Sequence, residues 1–408
     1  MEVQSIEQLN REYGEAFYIF DEKKFVSNLN QVQYEFEKRY NNFKIAYSFK
    51  TNYIPRVCQL ALRQGALAEV VSEMEYEHAL NLGFPPEQII FNGPVKTKKI
   101  LFKAFENNSI VHFDSEKEID YLEEYLTNFS NKKIRCALRI NFELSGVKTS
   151  RFGFNYEDGS VLKNYNRLFG LKGCEPIGIH CHFQTSLKSL ESFSERTEKI
   201  ITIAKEVFKD RYLEYIDIGG GFYGKMPVEL KKQFSNKIPD YDEYAEVVTS
   251  EFIKNFPDQN IKLIIEPGNM VVADTFKFYC SVYDIKTNNN KTFVEVNGSI
   301  HNIKPNGRSR ILPVLKVIKL GKEKSRYVSR ADITGYTCIE DDILAHDFSG
   351  DVAIGDFFEF SNVGAYSIML KPPFIKGQPV ILSKTENNEF EIIKEEETID
   401  YIFSKYKF

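Results

Sequence analysis

From residue 43 to residue 266 the chain alternates short apolar, β-rich runs with longer charged stretches of helical period. The runs are FKIAYSF, ALAEVVS, EQIIFNG, NSIVHFD, IRCALRIN, PIGIHCHF, LEYIDIGG and IKLIIEPG. Eight such runs, each flanked by a helical segment such as Ser189 to Phe208, predict a parallel (β/α)8 barrel of the TIM type. In that architecture, chemistry gathers at the C-terminal ends of the strands. After residue 270 the pattern changes to closely spaced alternating strands, FKFYCSVYDIKT, KTFVEVNG and DFFEFSNVG, separated by turn residues. The second part therefore reads as a β domain of roughly 140 residues, within the usual range for a domain. The strand-like AFYIFD precedes the first barrel run and is expected to join it. The expected division is a barrel over 30–268 and a β domain from 1–29 plus 269–408.

Composition agrees with two folded domains. The 408 residues are 42% hydrophobic and 27% charged, the balance of a globular protein with a sizeable core. A net charge of −5, with no basic stripe interleaved with aromatics, argues against a nucleic-acid partner. Cysteines at 58, 136, 174, 181, 280 and 338 show no CxxC pair and read as reduced thiols. MEVQSIEQLNREYGEAF lacks the apolar core of a signal peptide, and no apolar run approaches membrane-spanning length. The expectation is a cytoplasmic protein without a membrane partner.

Several residues at the predicted barrel mouth carry chemistry. Lys50 closes the first strand, where desolvation would lower the pKa of its amine and make it a usable nucleophile; elsewhere it would be an ordinary surface lysine. Gly219, Gly220 and Gly221 follow a late strand, and glycines there let backbone N–H groups approach a phosphate, although a bare triplet is also a flexible turn. Glu266 ends the last strand in EPG. A carboxylate buried at that mouth must be paired, and a protonated ring nitrogen would satisfy it. His180 and His182 share one strand face, and each has a satisfied core histidine as its default reading. Metal binding by this pair lacks a third ligand at suitable spacing.

The order YSFKTN, EVVSEMEYEHALNLGF, IIFNGPVKT, SRFGF, GIHCHF, IDIGGGF, EPG, CIEDD and GAY resembles the fold-type III decarboxylases that act on diaminopimelate, ornithine, lysine and carboxynorspermidine. The likeness runs from about residue 16 to 375, and nine motifs in order are far more specific than any one. It implies an enzyme that uses pyridoxal 5′-phosphate to decarboxylate an amino acid. By the same resemblance, Lys50 would hold the cofactor as a Schiff base, Glu266 would keep the ring nitrogen protonated, His182 would stack on the ring, and Glu75 would support the surrounding geometry. Gly219, Gly220, Gly221 and Gly268 would offer backbone donors to the phosphate, with the Tyr366 hydroxyl added. Arg139 matches a family arginine near the site. Cys338 would be the proton donor, contributed by the second subunit of a homodimer.

Three departures bear on the substrate. The family usually places an acid directly after the cysteine to grip a distal amine; here that position is Ile339, followed by Glu340, Asp341 and Asp342, which otherwise read as a solvated loop. Asn269 stands where EPGR would supply an arginine, and Gln184 and Thr185 replace the glycine and serine of HIGS. Arg308 and Arg310 are candidate carboxylate ligands in a segment that differs from the diaminopimelate enzymes, and Glu340 is a candidate for the distal amine. The expected substrate is larger than ornithine or lysine, or carboxylated, as in siderophore, polyamine or peptide-antibiotic biosynthesis. A racemase using the same cofactor and a catalytically silent homologue are the alternatives.

Overall fold

The computed structural model describes residues 3–129, 131–148, 150–183, 188–304 and 315–407. Each of the eight apolar runs contains a strand: Phe43–Ser48, Leu67–Val70, Ile89–Phe91, Ile110–Phe113, Ile134–Asn141, Cys174–Cys181, Tyr215–Asp217 and Lys262–Ile265. They pair in parallel in chain order, and the last pairs with the first, which closes the barrel. A two-residue strand, Phe154–Asn155, adds to the edge of Ile134–Asn141.

The interior of this barrel changes character along its axis. Ala46, Leu67, Ile90, Ile110, Ala137, Ile177, Tyr215 and Ile264 pack together in an apolar layer. Side chains on a strand return to the same face every second residue. Two positions beyond most of these residues stand Ser48, Glu69, Asn92, His112, Arg139, Asp217 and Glu266, and His180 occupies the matching place on its strand. All eight are buried. Burying so many polar groups is tolerable only where they pair with one another or with a ligand.

The other compact unit comprises Met1–Phe25, Lys225–Ser235 and Val272–Phe408; the barrel unit is Val26–Gly224 with Asn236–Val271. AFYIFD forms the strand Ala16–Asp21, which runs antiparallel to Phe276–Asn288 and parallel to Val380–Lys384. Phe17 and Ile19 point from it into a core with Ile6, Leu9, Tyr279, Phe357, Val380 and Leu382. Among the described residues, no helix is long and apolar enough to cross a membrane.

Candidate active site

Lys50 lies in a single helical turn, Phe49–Thr51, directly after the first barrel strand. Its Nζ meets both carboxylate oxygens of Glu69, at 2.8 and 2.7 Å. The Ser48 hydroxyl also donates to Glu69 at 2.5 Å. Glu69 is wholly buried while Lys50 keeps 29% of its side chain open, so the amine is held yet reachable. The register aligns Ser48 with Glu69 across adjacent strands, which explains the contact. Glu75 sits on the following helix and accepts from the Val71 N–H at 2.8 Å. Burial, followed by the nearby Glu69 charge, pushes its carboxyl up to about 7 despite that hydrogen bond and the Lys50 charge.

Glu266 is the hub of the polar layer. Asn92 donates to its Oε1 at 2.5 Å, and His182 Nδ1 lies 3.3 Å from Oε2. His180 Nε2 is 3.3 Å from Oε1. Burial alone would raise the Glu266 pKa, but His180, His182 and Lys50 hold the carboxyl well below its ordinary range. Its neighbour Asp217 goes the other way: burial first, then the Glu266 charge, push it well above that range. Glu266 therefore carries the charge and Asp217 the proton, as expected for two close buried carboxyls. Enclosure lowers the His182 pKa to about 4, so its ring is neutral at pH 7.

His180 and His182 do converge, but on Glu266. Among the described residues, the group with metal-ligand chemistry is instead His180, His112 and Asp217, all buried, whose donor atoms lie within 4.8 Å of one another. His112 is fixed by the Tyr215 hydroxyl at 2.8 Å.

The glycine turn follows Tyr215–Asp217. A Cβ on Gly220 would stand 2.3 Å from the Glu266 carbonyl, and one on Gly268 would stand 2.0 Å from Thr51 Oγ1, so both positions need glycine. Of the expected phosphate donors, Gly219 N–H is taken by Asp217 Oδ1 at 2.9 Å and Gly220 N–H faces His182 Nδ1 at 3.1 Å. His182 Nδ1 serves either Gly220 as acceptor or Glu266 as donor; the ionised carboxylate favours the second and frees the Gly220 N–H. Arg139 is nearly buried, 3.8 Å from Asp114 and over the Phe152 ring at 4.7 Å.

Tyr366, Cys338 and Glu340 belong to the other compact unit. Tyr366 is 38% exposed and caps a short helix with φ of 65°. Cys338, Ile339, Glu340 and Asp341 are exposed at the tip of one loop. Asp342 is not part of a solvated acidic run: it is buried and accepts from Ser299 Oγ, the Ile300 N–H, the Thr337 N–H and Thr337 Oγ1 at 2.6–3.1 Å. Arg308, Arg310, Gln184 and Thr185 lie outside the described residues. Sequence reasoning passed over Glu69, Asn92 and Asp217, although each is a polar residue near the end of an apolar run, one period-2 step beyond a core position.

Comparison with known proteins follows the same geometry. The pyridoxal-binding domain of the pyridoxal-dependent decarboxylases matches residues 25–273. The chain is 26% identical to the diaminopimelate decarboxylase of Aquifex aeolicus, over 98% of this chain and 93% of that protein. It is 25% identical to the diaminopimelate decarboxylase of Methanocaldococcus jannaschii, over 98% and 92%. The crystal structure of diaminopimelate decarboxylase from M. jannaschii superposes with a TM-score of 0.86 at 23% identity, over 98% of this chain and 94% of that one. With that domain matching more than half its length, the chain belongs to the pyridoxal-dependent decarboxylases, and it uses pyridoxal phosphate to remove the carboxyl group of an amino acid.

Proposed function

We propose that Lys50 binds pyridoxal 5′-phosphate covalently and that Glu266 pairs with its ring nitrogen. The observation that carries this reading is the fully buried Glu266 carboxyl, met by Asn92 at 2.5 Å and flanked by His180 and His182 at 3.3 Å, at the end of the strand that pairs with the one leading into Lys50. The residues present fit the cofactor: a reachable amine, a buried anion, and a glycine turn and Gly268 where any side chain would collide. When bound, the cofactor supplies an electron sink for the pair left as carbon dioxide departs, provided its ring nitrogen is protonated.

Glu266 keeps the proton on that nitrogen, and Asn92 and His180 hold the carboxylate in place. His182, neutral at pH 7, positions the ring, and Glu75 and Arg139 support the surrounding geometry. Glu69 orients the Lys50 amine by accepting its hydrogen bonds. The glycine turn and Gly268 receive the phosphate, and the family resemblance names the Tyr366 hydroxyl as a further donor.

In this reading 30–268 forms the cofactor-binding part, while 1–29 with 269–408 completes the site of a second copy in a homodimer. Cys338 of that copy returns a proton from Sγ to the α-carbon. An exposed thiol and isoleucine on a loop pinned by the buried Asp342 suit such a reach. The substrate is an amino acid larger than ornithine or lysine, or carboxylated at its far end, because Ile339 offers no charge there and Asp342 is committed to the loop. Of the acids on this loop, Glu340 and Asp341 remain exposed to meet a distal amine, and Arg308 and Arg310 are the candidates for a distal carboxylate. The family match favours decarboxylation over racemisation or a silent role.

Borohydride reduction followed by peptide mapping should place the pyridoxyl group on Lys50; a label on another lysine overturns the assignment. Mixing inactive Lys50→Ala with inactive Cys338→Ala should restore activity, since a mixed dimer holds one site with both residues. Absence of rescue would place Cys338 within its own chain's site. Carbon dioxide release from a panel of amino acids should disfavour plain ornithine and lysine, and a preference for either refutes the substrate class.

A further inference from the structure

Arg196 lies in the helix Leu190–Phe208 and is buried, at 2% exposure. Its guanidinium stacks on Phe193 at 4.1 Å and lies 5.9 Å from the Phe222 ring. Nη1 donates to the Gly220 carbonyl at 3.1 Å, while Nε and Nη2 have no hydrogen-bond partner among the described residues. Among the described residues no acid pairs with it within 4.0 Å. A buried cation of this kind is costly unless something anionic balances it. An arginine cannot escape that cost by losing its proton.

The hydrogen bond to Gly220 bears directly on the glycine turn. The Gly220 carbonyl and the Gly221 N–H belong to one peptide unit, and in a trans peptide they point in opposite directions. A charged donor on the carbonyl therefore fixes the plane, aims the Gly221 N–H away from Arg196 and strengthens it as a donor. That N–H has no partner among the described residues, whereas that of Gly219 is taken by Asp217. The residue after Gly268 is the uncharged Asn269, so the cradle gains no cation there.

We propose that Arg196 is the positioning cation of the phosphate site: it orients the Gly220–Gly221 peptide toward the phosphate dianion and balances its charge from behind the turn. The proposal rests on pyridoxal phosphate being the ligand of this turn. It adds a residue from the helix behind the barrel, in contact with the turn and not with the cofactor.

The test uses the full chain stripped of cofactor and titrated with pyridoxal 5′-phosphate and, separately, with pyridoxal, following visible absorption. Arg196→Gln should weaken the phosphorylated form about 10- to 100-fold, as expected for losing one charge-assisted contact, and leave pyridoxal unchanged. Arg196→Lys should recover part of the loss. Equal weakening of both ligands, or no change in either, overturns the proposal. Should both variants fail to fold, the phosphorus resonance of the unmodified holoenzyme decides: a dianion constant from about pH 6 to 9 supports the buried cation, and a phosphate titrating near its free pKa, about 6, overturns it. If the unmodified protein binds neither ligand, the cofactor reading of the turn fails, and that result is distinct from a failure confined to Arg196 variants.

Discussion

Replacing Glu266 with glutamine keeps the shape of the side chain and removes its charge. A unit charge pair at hydrogen-bonding separation, about 3 Å, interacts by about 5 kcal/mol with an effective dielectric constant near 20. Glutamine retains an acceptor oxygen and Asn92 still meets it, so roughly 3–4 kcal/mol of that figure is lost, which is a factor of about 10²–10³ in rate. The expected outcome is full cofactor occupancy with kcat for carbon dioxide release reduced by that factor. The assay is single-turnover decarboxylation alongside the visible spectrum, which separates weak cofactor binding from slow chemistry. Near-normal kcat at full occupancy would refute the reasoning and move the ring partner elsewhere.

Glu75 supplies a pH test: its folded pKa of about 7 lies above its ordinary 4.5, so the unfolded chain ionises first and stability falls as pH rises through that window. Glu75→Gln should stabilise the cofactor-free protein by on the order of 1–3 kcal/mol at pH 8 and little near pH 4.5, read from denaturant melts. Lys96 is buried 2.9 Å from Glu118, so Lys96→Met should cost about 3–5 kcal/mol in urea unfolding, and adding Glu118→Leu should recover most of it. Ile339→Glu should raise kcat/KM for ornithine or lysine by about 10- to 100-fold relative to the native substrate, the worth of a hydrogen bond to a charged group; an unchanged ratio would show that position 339 does not meet the far end of the substrate.

The barrel was legible because its strands are short, apolar and separated by helices long enough for parallel crossovers, and all eight runs contain strands in closed order. AFYIFD was legible as a strand of the other unit because it lies outside that alternation. The excursion Lys225–Ser235 was not. It interrupts the barrel segment between the strand Tyr215–Asp217 and the helix Tyr241–Asn255, and the short helix Val228–Lys231 belongs to the other compact unit, a choice made by tertiary contacts that leave no periodic trace.

The site divides along the same physical line. Lys50, Glu266 and the glycines stand out because each is an unusual residue at a strand end, and unusual residues can be read one at a time. Glu69, Asn92 and His112 acquire meaning only when the barrel closes, since their partners come from other segments: Glu69 meets Lys50, Asn92 meets Glu266, and His112 meets Tyr215. The signal was nevertheless present as a period-2 step from apolar to polar near the end of run after run, with Ile90 followed by Asn92, Ile110 by His112 and Ile264 by Glu266. A barrel whose inner layer turns polar at the same height on every strand must find an occupant for that layer or forfeit several kcal/mol per unpaired group. Arg196 lies beyond even that pattern, because its partner is a backbone carbonyl, and no side-chain code announces which carbonyl a helix will face.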